Sequence, residues 1–188
     1  MDPELLSKCR LGDPGAIETL VSDHQARVYR FCLSILEDPE DAQDAVQESF
    51  MAAFKSLSTY RGDSAFNTWL FSIVLNTCRG QLRQRKRRVN LQHRLTDPAS
   101  PQEQFKKSPE NRLLEGERTN AIRSAINRLD EKHRLPIIMR YFHELSTQEI
   151  AEVMGINVGT VHSRLSNGRN RLAGELKRAN LSFPGGEL

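Results

Sequence analysis

A basic segment without any acidic residue follows a group of aromatic residues in the first half of the chain. Between Ser64 and Thr96 there are seven Lys and Arg residues and no Asp or Glu, and the rings of Tyr60, Phe66 and Trp69 precede these cations. Clustered cations repel one another unless an anion faces them. Rings that stack on bases, combined with cations that contact phosphates, are the usual means of binding single-stranded nucleic acid. The segment therefore predicts a nucleic-acid surface.

Amides, guanidinium groups and rings in this segment have the chemistry to read or stack on bases. The candidates are Tyr60, Arg61, Asn67, Trp69, Asn76, Arg79, Arg83 and Arg87. The run Arg85 to Arg88 is suited to phosphate contact, although a basic run of this kind also occurs as a merely solubilising feature. An aromatic residue at helical spacing usually belongs to the core, so Phe66 and Phe71 are expected there.

A second candidate nucleic-acid surface lies near the C-terminus. Ala151, Gly155 and Val161 are spaced as in a helix-turn-helix, in which a small residue permits a close helix crossing and Gly makes the turn. The polar side chains and cations that this motif presents to DNA bases and phosphates are Ser146, Thr160, His162, Ser163, Arg164, Ser166, Asn167 and Arg169. The alternative is an ordinary helical hairpin, which the helix caps and the basic excess disfavour.

The sequence contains no pattern typical of catalysis or of metal binding. No nucleophile lies at a suitable spacing from a base, and there is no phosphate-binding loop, so we expect neither an enzyme nor a cofactor. The three cysteines, Cys9, Cys32 and Cys78, are far apart and predict free thiols in a reducing compartment. No apolar run is long enough to cross a bilayer and the N-terminus does not resemble a signal peptide, so a cytoplasmic protein without membrane insertion is expected.

The charge is divided unevenly along the chain. The net charge is only +3 over 188 residues, but residues 1–63 carry 6 Lys and Arg against 12 Asp and Glu, whereas residues 64–96 carry 7 against none. Such a reversal suggests two partners of opposite charge.

Helix-start signals place these residues on a series of helices. Gly12 ends a first short helix from Glu4 to Leu11, and the pairs Asp13-Pro14 and Asp38-Pro39 combine an N-cap with Pro at the first helical position. The third helix carries a polar face formed by Asp41, Asp44, Gln47, Glu48 and Met51. Charge pattern alone favours a solvated face; the alternative is a docking surface for a basic partner, with Met51 as an apolar contact.

The fourth helix is predicted from about Ala65 to Arg88, and Val89 to Glu110 is predicted to be a linker because it is polar, aperiodic and rich in Pro. A helix should start at Ser108-Pro109-Glu110, and Asp130 should cap the next, which Pro136 should kink or delay. Ser146-Thr147-Gln148-Glu149 is a capping box.

These elements predict an all-α fold with two helical domains joined by a flexible linker. The expected limits are residues 1–92 for the first domain, 93–110 for the linker and 111–188 for the second domain, which contains the helix-turn-helix.

Three segments in this order resemble a known family. They are DPEDAQDAVQESF, then YRGDSAFNTWL with Asn76 following, then LSTQEIAEVMGINVGTVHSRL. The chain is similar to the bacterial extracytoplasmic-function (ECF) sigma factors, the smallest sigma factors, which keep only regions 2 and 4 of the sigma-70 family. The resemblance covers roughly residues 10–88 and 110–178.

The resemblance implies a transcription initiation factor. The polar face of the third helix, with Asp41, Asp44, Gln47, Glu48 and Met51, would dock on core RNA polymerase, which reverses the preference for a solvated face. Tyr60 through Arg83, followed by the phosphate-contacting cations that include Arg87, would bind the melted −10 element. The helix-turn-helix would bind the −35 element as duplex. An anti-sigma factor is an expected partner.

Some positions depart from the family pattern. His162 and Asn167 stand where Lys or Arg is usual, Gly168 replaces a common Ala, and Gly80 replaces a frequent Asp or Asn.

The residues also allow two other functions. One is a stand-alone helix-turn-helix regulator with an N-terminal sensing or dimerisation domain, and the other is an RNA-binding protein, which leaves the helix-turn-helix without a role.

Overall fold

The computed structural model describes residues 2–95 and 117–178 of the chain. All regular secondary structure in these residues is helical and they contain no strand, which confirms the predicted all-α class. They fall into two compact units, one within Met1–Lys107 and the other within Ser108–Leu188.

The first unit contains four α-helices and a short 3-10 turn at Leu57–Thr59. The helices are α1 (Pro3–Arg10), α2 (Pro14–Leu36), α3 (Pro39–Ser56) and α4 (Phe66–Leu95).

The predicted starts of α2 and α3 are confirmed. Asp13 accepts a hydrogen bond from the backbone N–H of Ala16 at 2.8 Å, and Asp38 accepts from Glu40 and Asp41 at 2.9 and 3.0 Å. In both helices Pro occupies the first position, where its missing N–H costs no hydrogen bond.

The core of the first unit lies between α2, α3 and α4. Phe31 of α2 stacks on Phe71 of α4 with the ring centroids 4.6 Å apart, and both side chains are fully buried. Ala42 and Ala45 of α3 are also fully buried, so their small side chains let α3 approach its neighbours closely. Phe66 and Phe71 lie in the core, as their spacing predicted.

Helix α4 is longer than predicted. It continues to Leu95 instead of ending near Arg88, so the prediction that a linker begins at Val89 is wrong. Lys, Arg, Gln and Leu are good helix formers, and no Gly or Pro occurs between Gln81 and Leu95 to end the helix. The polar composition of residues 89–95 had suggested irregular structure. The rest of the predicted linker lies outside the described residues.

The second unit contains α5 (Glu117–Asn127), α6 (Glu131–Tyr141), α7 (Thr147–Met154) and α8 (Val158–Arg178). The predicted helix start at Ser108 lies outside the described residues. The core of this unit is formed by side chains from all four helices, among them Ile126, Leu135, Ile150 and Leu172.

Two predictions for α6 need correction. Asp130 occupies the N-cap position, but its carboxylate accepts no capping bond from the backbone. It pairs instead with Nδ1 of the buried His133. Pro136 does not delay the helix, which begins directly after Asp130 and continues through Pro136. The residues flanking Pro136 are buried, and this packing outweighs the backbone hydrogen bond that Pro removes.

Helix α8 crosses α6 closely at Gly168. A Cβ at this position would lie 3.1 Å from Cγ1 of Ile137 and 3.3 Å from the carbonyl oxygen of His133. Gly168 is therefore the residue that lets the two helices approach, a role that the sequence did not indicate.

Candidate polymerase and nucleic-acid surfaces

Helix α3 presents a polar face opposite its buried side. Asp44, Gln47, Glu48 and Met51 are exposed, and Asp41 is half-buried. Met51 has 60% of its surface accessible, which is high for an apolar side chain on a helix whose other face is packed into the core. These five side chains are called the acidic face below.

The aromatic residues before α4 form a cluster. The ring centroid of Tyr60 lies 5.6 Å from that of Phe66 and 5.1 Å from that of Trp69, and His24 of α2 lies 5.2 Å from Phe66. The hydroxyl of Tyr60 donates to the carbonyl of Ser64 at 2.7 Å. Burial lowers the pKa of His24.

The rings of this cluster differ in their exposure to solvent. Tyr60 is 9% exposed, so its ring is largely covered by its neighbours in the free chain, whereas Trp69 is half-buried. Of Tyr60, Phe66 and Trp69, Trp69 is therefore the ring most accessible to a stacking base. Arg61, in the turn that follows Tyr60, is exposed.

Helix α4 brings together most of the candidate residues for the −10 element. At 100° per residue, Trp69, Asn76, Arg83 and Arg87 fall on one face, with Arg79 beside them. Asn76, Arg83 and Arg87 are exposed and Arg79 is half-buried. Asn67 points to the opposite side of the helix, so α4 does not place it with the others.

A shallow groove of about 420 Å³ runs between the acidic face and α4. Its lining residues are Glu48, Gly80, Gln81, Arg83, Gln84 and Arg87. A Cβ at Gly80 would meet no atom within 4 Å, so the absence of a side chain there leaves this side of α4 open.

Polar contacts that the sequence did not reveal join α3 to α4. Nη1 of Arg85 lies 3.3 Å from Oδ2 of Asp41, and Nε2 of Gln81 donates to Oε2 of Glu48 at 3.3 Å. The opposite charges of residues 1–63 and 64–96 had suggested two external partners, but part of that charge is paired within the unit.

The helix-turn-helix of the second unit is well formed. Oγ of Ser146 accepts from the N–H of Glu149 at 3.2 Å, and Oε2 of Glu149 accepts from the N–H of Ser146 at 2.8 Å, which is the predicted capping box. Gly155 has a φ of 64°, a left-handed conformation that glycine adopts without strain, and it ends α7. The second helix of the motif is α8.

Helix α8 has a buried side and a polar side. Val161, Leu165, Gly168 and Leu172 are buried. The candidate residues for the −35 element lie elsewhere on the helix: His162, Ser163, Ser166 and Asn167 are exposed, and Thr160, Arg164 and Arg169 are half-buried. Ser146 is exposed at the start of α7. Arg164 and Arg169 flank the polar side, where phosphates would lie on either side of bound bases.

Asp130 connects the helix-turn-helix to α6. Besides pairing with His133, its carboxylate lies 3.5 Å from Nη1 of Arg171 on α8 and 3.8 Å from Nζ of Lys132. Burial opposes the charge on Asp130, but the hydrogen bond from His133 and the nearby cations outweigh it, so the pKa of Asp130 lies below its ordinary value. Arg171 is therefore engaged within the unit.

Three further observations concern metals, thiols and membranes. In the part of the chain that the structure describes, no group of three or more His, Cys, Asp or Glu side chains is arranged to hold a metal ion. Cys9, Cys32 and Cys78 are buried free thiols, and a hydrogen bond with Cys32 together with burial raises the pKa of Cys78. Among residues 2–95 and 117–178, no helix combines the length and the apolar character needed to cross a membrane.

A helical unit with an acidic face beside a basic helix, and a second unit with a helix-turn-helix, define the class of DNA-binding transcription proteins. Two family models match the chain: Sigma-70 region 2 over residues 20–88 and Sigma-70 region 4 over residues 119–172. The chain belongs to the ECF sigma factors of the sigma-70 family, and it is a transcription initiation factor that directs RNA polymerase to promoters.

Relatives support the same family along nearly the whole chain. The RNA polymerase sigma-H factor of Pseudomonas aeruginosa is 34% identical over 179 residues, covering 91% of each protein. The ECF RNA polymerase sigma-E factor of Haemophilus influenzae is 33% identical over 181 residues, covering 94% of this chain and 95% of the relative. Among solved structures, the sigma factor RpoE of Bartonella quintana, in complex with the anti-sigma factor NepR, matches with a TM-score of 0.68 and 26% identity, covering 85% of this chain and 96% of that one.

Proposed function

We propose that each of the three surfaces has its own partner. The acidic face binds core RNA polymerase, the outer face of α4 with the Tyr60 turn binds the melted −10 element, and α8 binds the −35 element. The observation that carries this assignment is the common face of Trp69, Asn76, Arg83 and Arg87 on a helix without acidic residues. A stackable ring, an amide and two cations in one row match the chemistry of a single strand.

The proposed domains follow from these surfaces. The first, predicted as residues 1–92, takes in the remainder of α4 to Leu95, so the connecting segment, predicted as 93–110, begins only after Leu95. The second domain lies within 111–188. Neither unit supplies a catalytic group in this scheme, so all chemistry on nucleotides belongs to the polymerase. The protein acts in the cytoplasm, where polymerase and promoters are found.

An anti-sigma factor is the proposed regulator. The RpoE protein of Bartonella quintana, which is similar over 85% of this chain, is bound to such a factor. A regulator that covers the acidic face would prevent docking on polymerase.

Transcription reconstituted from purified components tests the function. The protein alone should bind duplex DNA weakly, and with core RNA polymerase it should start transcription at a specific subset of genomic promoters. Tight binding to a palindromic duplex without polymerase would favour the alternative of a stand-alone regulator.

Reversal of charge on the acidic face tests the docking surface. Asp44→Lys with Glu48→Lys should lower the affinity for core polymerase by on the order of tenfold or more, because two attractive contacts become repulsive. Glu18→Lys with Asp23→Lys, two exposed acidic residues on α2, is the control for net charge. Unchanged capture of polymerase by the α3 variant would remove these residues from the interface.

A further inference from the structure

Arg10, the last residue of α1, reaches the turn that precedes α4. Its Nη2 donates to the carbonyl oxygen of Tyr60 at 2.5 Å, and its Nε donates to the carbonyl oxygen of Leu57 at 3.3 Å. Leu57 is the first residue of the 3-10 turn, and Tyr60 directly follows that turn. One guanidinium thus joins both ends of the turn, from a position 50 residues before Tyr60 in the chain.

Both the base of Arg10 and one of its acceptors have fixed positions. The neighbouring Cys9 is buried, and the backbone N–H of Asp13 donates to the carbonyl oxygen of Lys8 at 3.1 Å, which ties the end of α1 to the start of α2. The side chain of Leu57 is buried as well. A guanidinium donates through a planar, rigid fork, so its second bond holds the far end of the turn in a defined place.

The far end of the turn leads into the proposed −10 surface. The ring of Tyr60 packs against Phe66 and Trp69, and Arg61 follows Tyr60 in an exposed position. A shift of the Tyr60 backbone would therefore move its ring against Trp69 and displace Arg61.

We propose that Arg10 is a positioning residue of the −10 surface. It holds the backbone of Tyr60 and thereby sets where the Tyr60 ring and Arg61 lie. The inference rests on the proposed function, in which this turn binds the −10 element. Arg10 precedes residues 20–88, which match Sigma-70 region 2, so the match does not assign it a role.

This role requires no contact between Arg10 and DNA. Without the two bonds from Arg10, the turn would be free to move in the unbound protein. A strand would then have to order the turn as it binds, and that ordering costs conformational entropy. The expected result of losing Arg10 is weaker binding by a surface whose DNA-contacting side chains are all still present.

The test measures binding of the free, full-length protein to a fluorescently labelled single-stranded oligonucleotide of mixed sequence at low ionic strength. Arg10→Gln should weaken binding by about threefold to tenfold, because charge-assisted hydrogen bonds to the turn are lost. Arg10→Lys keeps the charge but not the fork, so it should weaken binding by at least about threefold. Wild-type binding by Arg10→Lys would show that charge alone matters and would overturn the proposal.

Lys8→Gln is the control for charge, because Lys8 is an exposed cation on the same helix and pairs with Glu4 instead of the turn. It should weaken binding by less than about twofold, as expected for one exposed charge. A loss as large as that of Arg10→Gln would assign the effect to net charge and count against positioning.

A double-mutant cycle separates positioning from direct contact with DNA. Tyr60→Ala with Arg61→Ala removes the side chains that Arg10 is proposed to position. In this background, Arg10→Gln should weaken binding by less than about twofold, because there is little left for Arg10 to place. An effect as large as in the wild-type background would mean that Arg10 contacts the strand itself.

Fluorescence of Trp69, the only Trp of the chain, reports on the turn in the absence of DNA, since its ring lies 5.1 Å from that of Tyr60. Arg10→Lys should change the emission spectrum, and Lys8→Gln should not. An unchanged spectrum in Arg10→Lys would show that the turn keeps its place without the fork. Far-UV circular dichroism confirms that each variant remains helical.

Arg61→Ala and Asn76→Ala, two exposed candidates of the −10 surface, test the proposed function in the same binding assay. Wild-type binding by both would overturn the proposed −10 surface and the role of Arg10 with it. Weaker binding by both, together with wild-type binding by Arg10→Lys, would keep the surface and reject the positioning role alone.

Discussion

Asp130 shows how one carboxylate can organise the DNA-binding unit. It contacts His133 and Lys132 of its own helix and Arg171 of α8, and His133 is buried. Leaving a buried ring nitrogen without a hydrogen-bond partner costs more free energy than an exposed ion pair contributes. Of the contacts that Asp130 makes, the bond to His133 is therefore expected to contribute most to stability.

Replacing Asp130 by Ala should lower the free energy of unfolding of the second unit by about 1 to 3 kcal/mol, because Nδ1 of His133 loses its partner. Asp130→Asn keeps an acceptor and should cost less. Hydrogen exchange of the α6 amides measures both changes, and Trp69 fluorescence, which reports on the first unit, should not respond. An Asp130→Ala variant with wild-type exchange in α6 would contradict the assignment.

The same residue predicts a pH dependence. The pKa of Asp130 is below its ordinary value of 3.8 in the folded protein, so its charge stabilises the fold above that value. This contribution should be lost as the pH falls through the lower, folded-state pKa. Asp130→Asn should remove that part of the acid sensitivity of α6, and an unchanged pH profile would show that the charge contributes nothing.

Arg164 is the α8 cation with the clearest predicted role in DNA binding. Arg164→Ala should weaken promoter binding by the polymerase complex at all sequences alike and reduce the salt slope of log affinity by about 1, as expected for one lost phosphate contact. Arg178→Ala is the matched control, because Arg178 is on the same helix but pairs with Glu175 at 2.6 Å. Binding measured across a salt series distinguishes them; equal slopes would remove Arg164 from the DNA-facing side.

At the scale of elements, the packing of α8 on α6 explains why position 168 is Gly, which the sequence alone did not explain. Gly168 and Gly174 both lie within α8, and Gly→Ala in a helix interior normally stabilises by up to about 1 kcal/mol. Gly174→Ala should show that gain, because its Cβ would meet no atom within 4 Å. Gly168→Ala should gain less or destabilise, because its Cβ would lie 3.1 Å from Ile137 and push α8 away from α6.

Hydrogen exchange of α8 amides in the two Gly variants makes the comparison direct, because both substitutions change helix propensity equally. Promoter affinity should fall only for Gly168→Ala, since only that change shifts α8 relative to its support. Equal stabilisation by the two substitutions would show that α6 can move away from the added Cβ at position 168 without a loss of stability.

Helix starts were predictable because their signals are local. Asp13, Asp38 and Ser146 each contact backbone within three residues, so the pattern of a few neighbouring residues determines the outcome. The end of α4 was not predictable from polarity, because a basic run without Gly or Pro remains helical. The pairing of Asp41 with Arg85, 44 residues apart, depends on how α3 packs on α4, which no local pattern encodes.

At the scale of the whole molecule, the sequence predicted the two helical units and the helix-turn-helix, because caps and apolar periodicity specify both. It also identified the outer faces of α3, α4 and α8, since exposure follows from helical period. Nearness in sequence suggested that Asn67 lies with Trp69, but residues two positions apart on a helix point about 200° away from each other. The prediction also treated Tyr60 as an open ring, whereas long-range packing against Phe66 and Trp69 covers it.

If both proposed DNA surfaces bind the same promoter, the spacing between the −35 and −10 elements should affect binding. DNA turns once in about 10 to 10.5 base pairs, so inserting about 5 base pairs between the −35 and −10 elements turns one of them to the opposite side of the duplex. The two surfaces would then no longer bind together, and the gain from joint binding would be lost.

Transcription from such a promoter by the protein with core polymerase should fall on the order of tenfold or more, while a promoter with the same inserted bases placed upstream of the −35 element should be unaffected. The proposed −10 surface alone should not compensate, because one surface binds a promoter less tightly than two surfaces joined in one chain. Transcription that is undiminished by the internal insertion would mean that the two units act separately, as expected for a regulator that binds DNA through the helix-turn-helix alone.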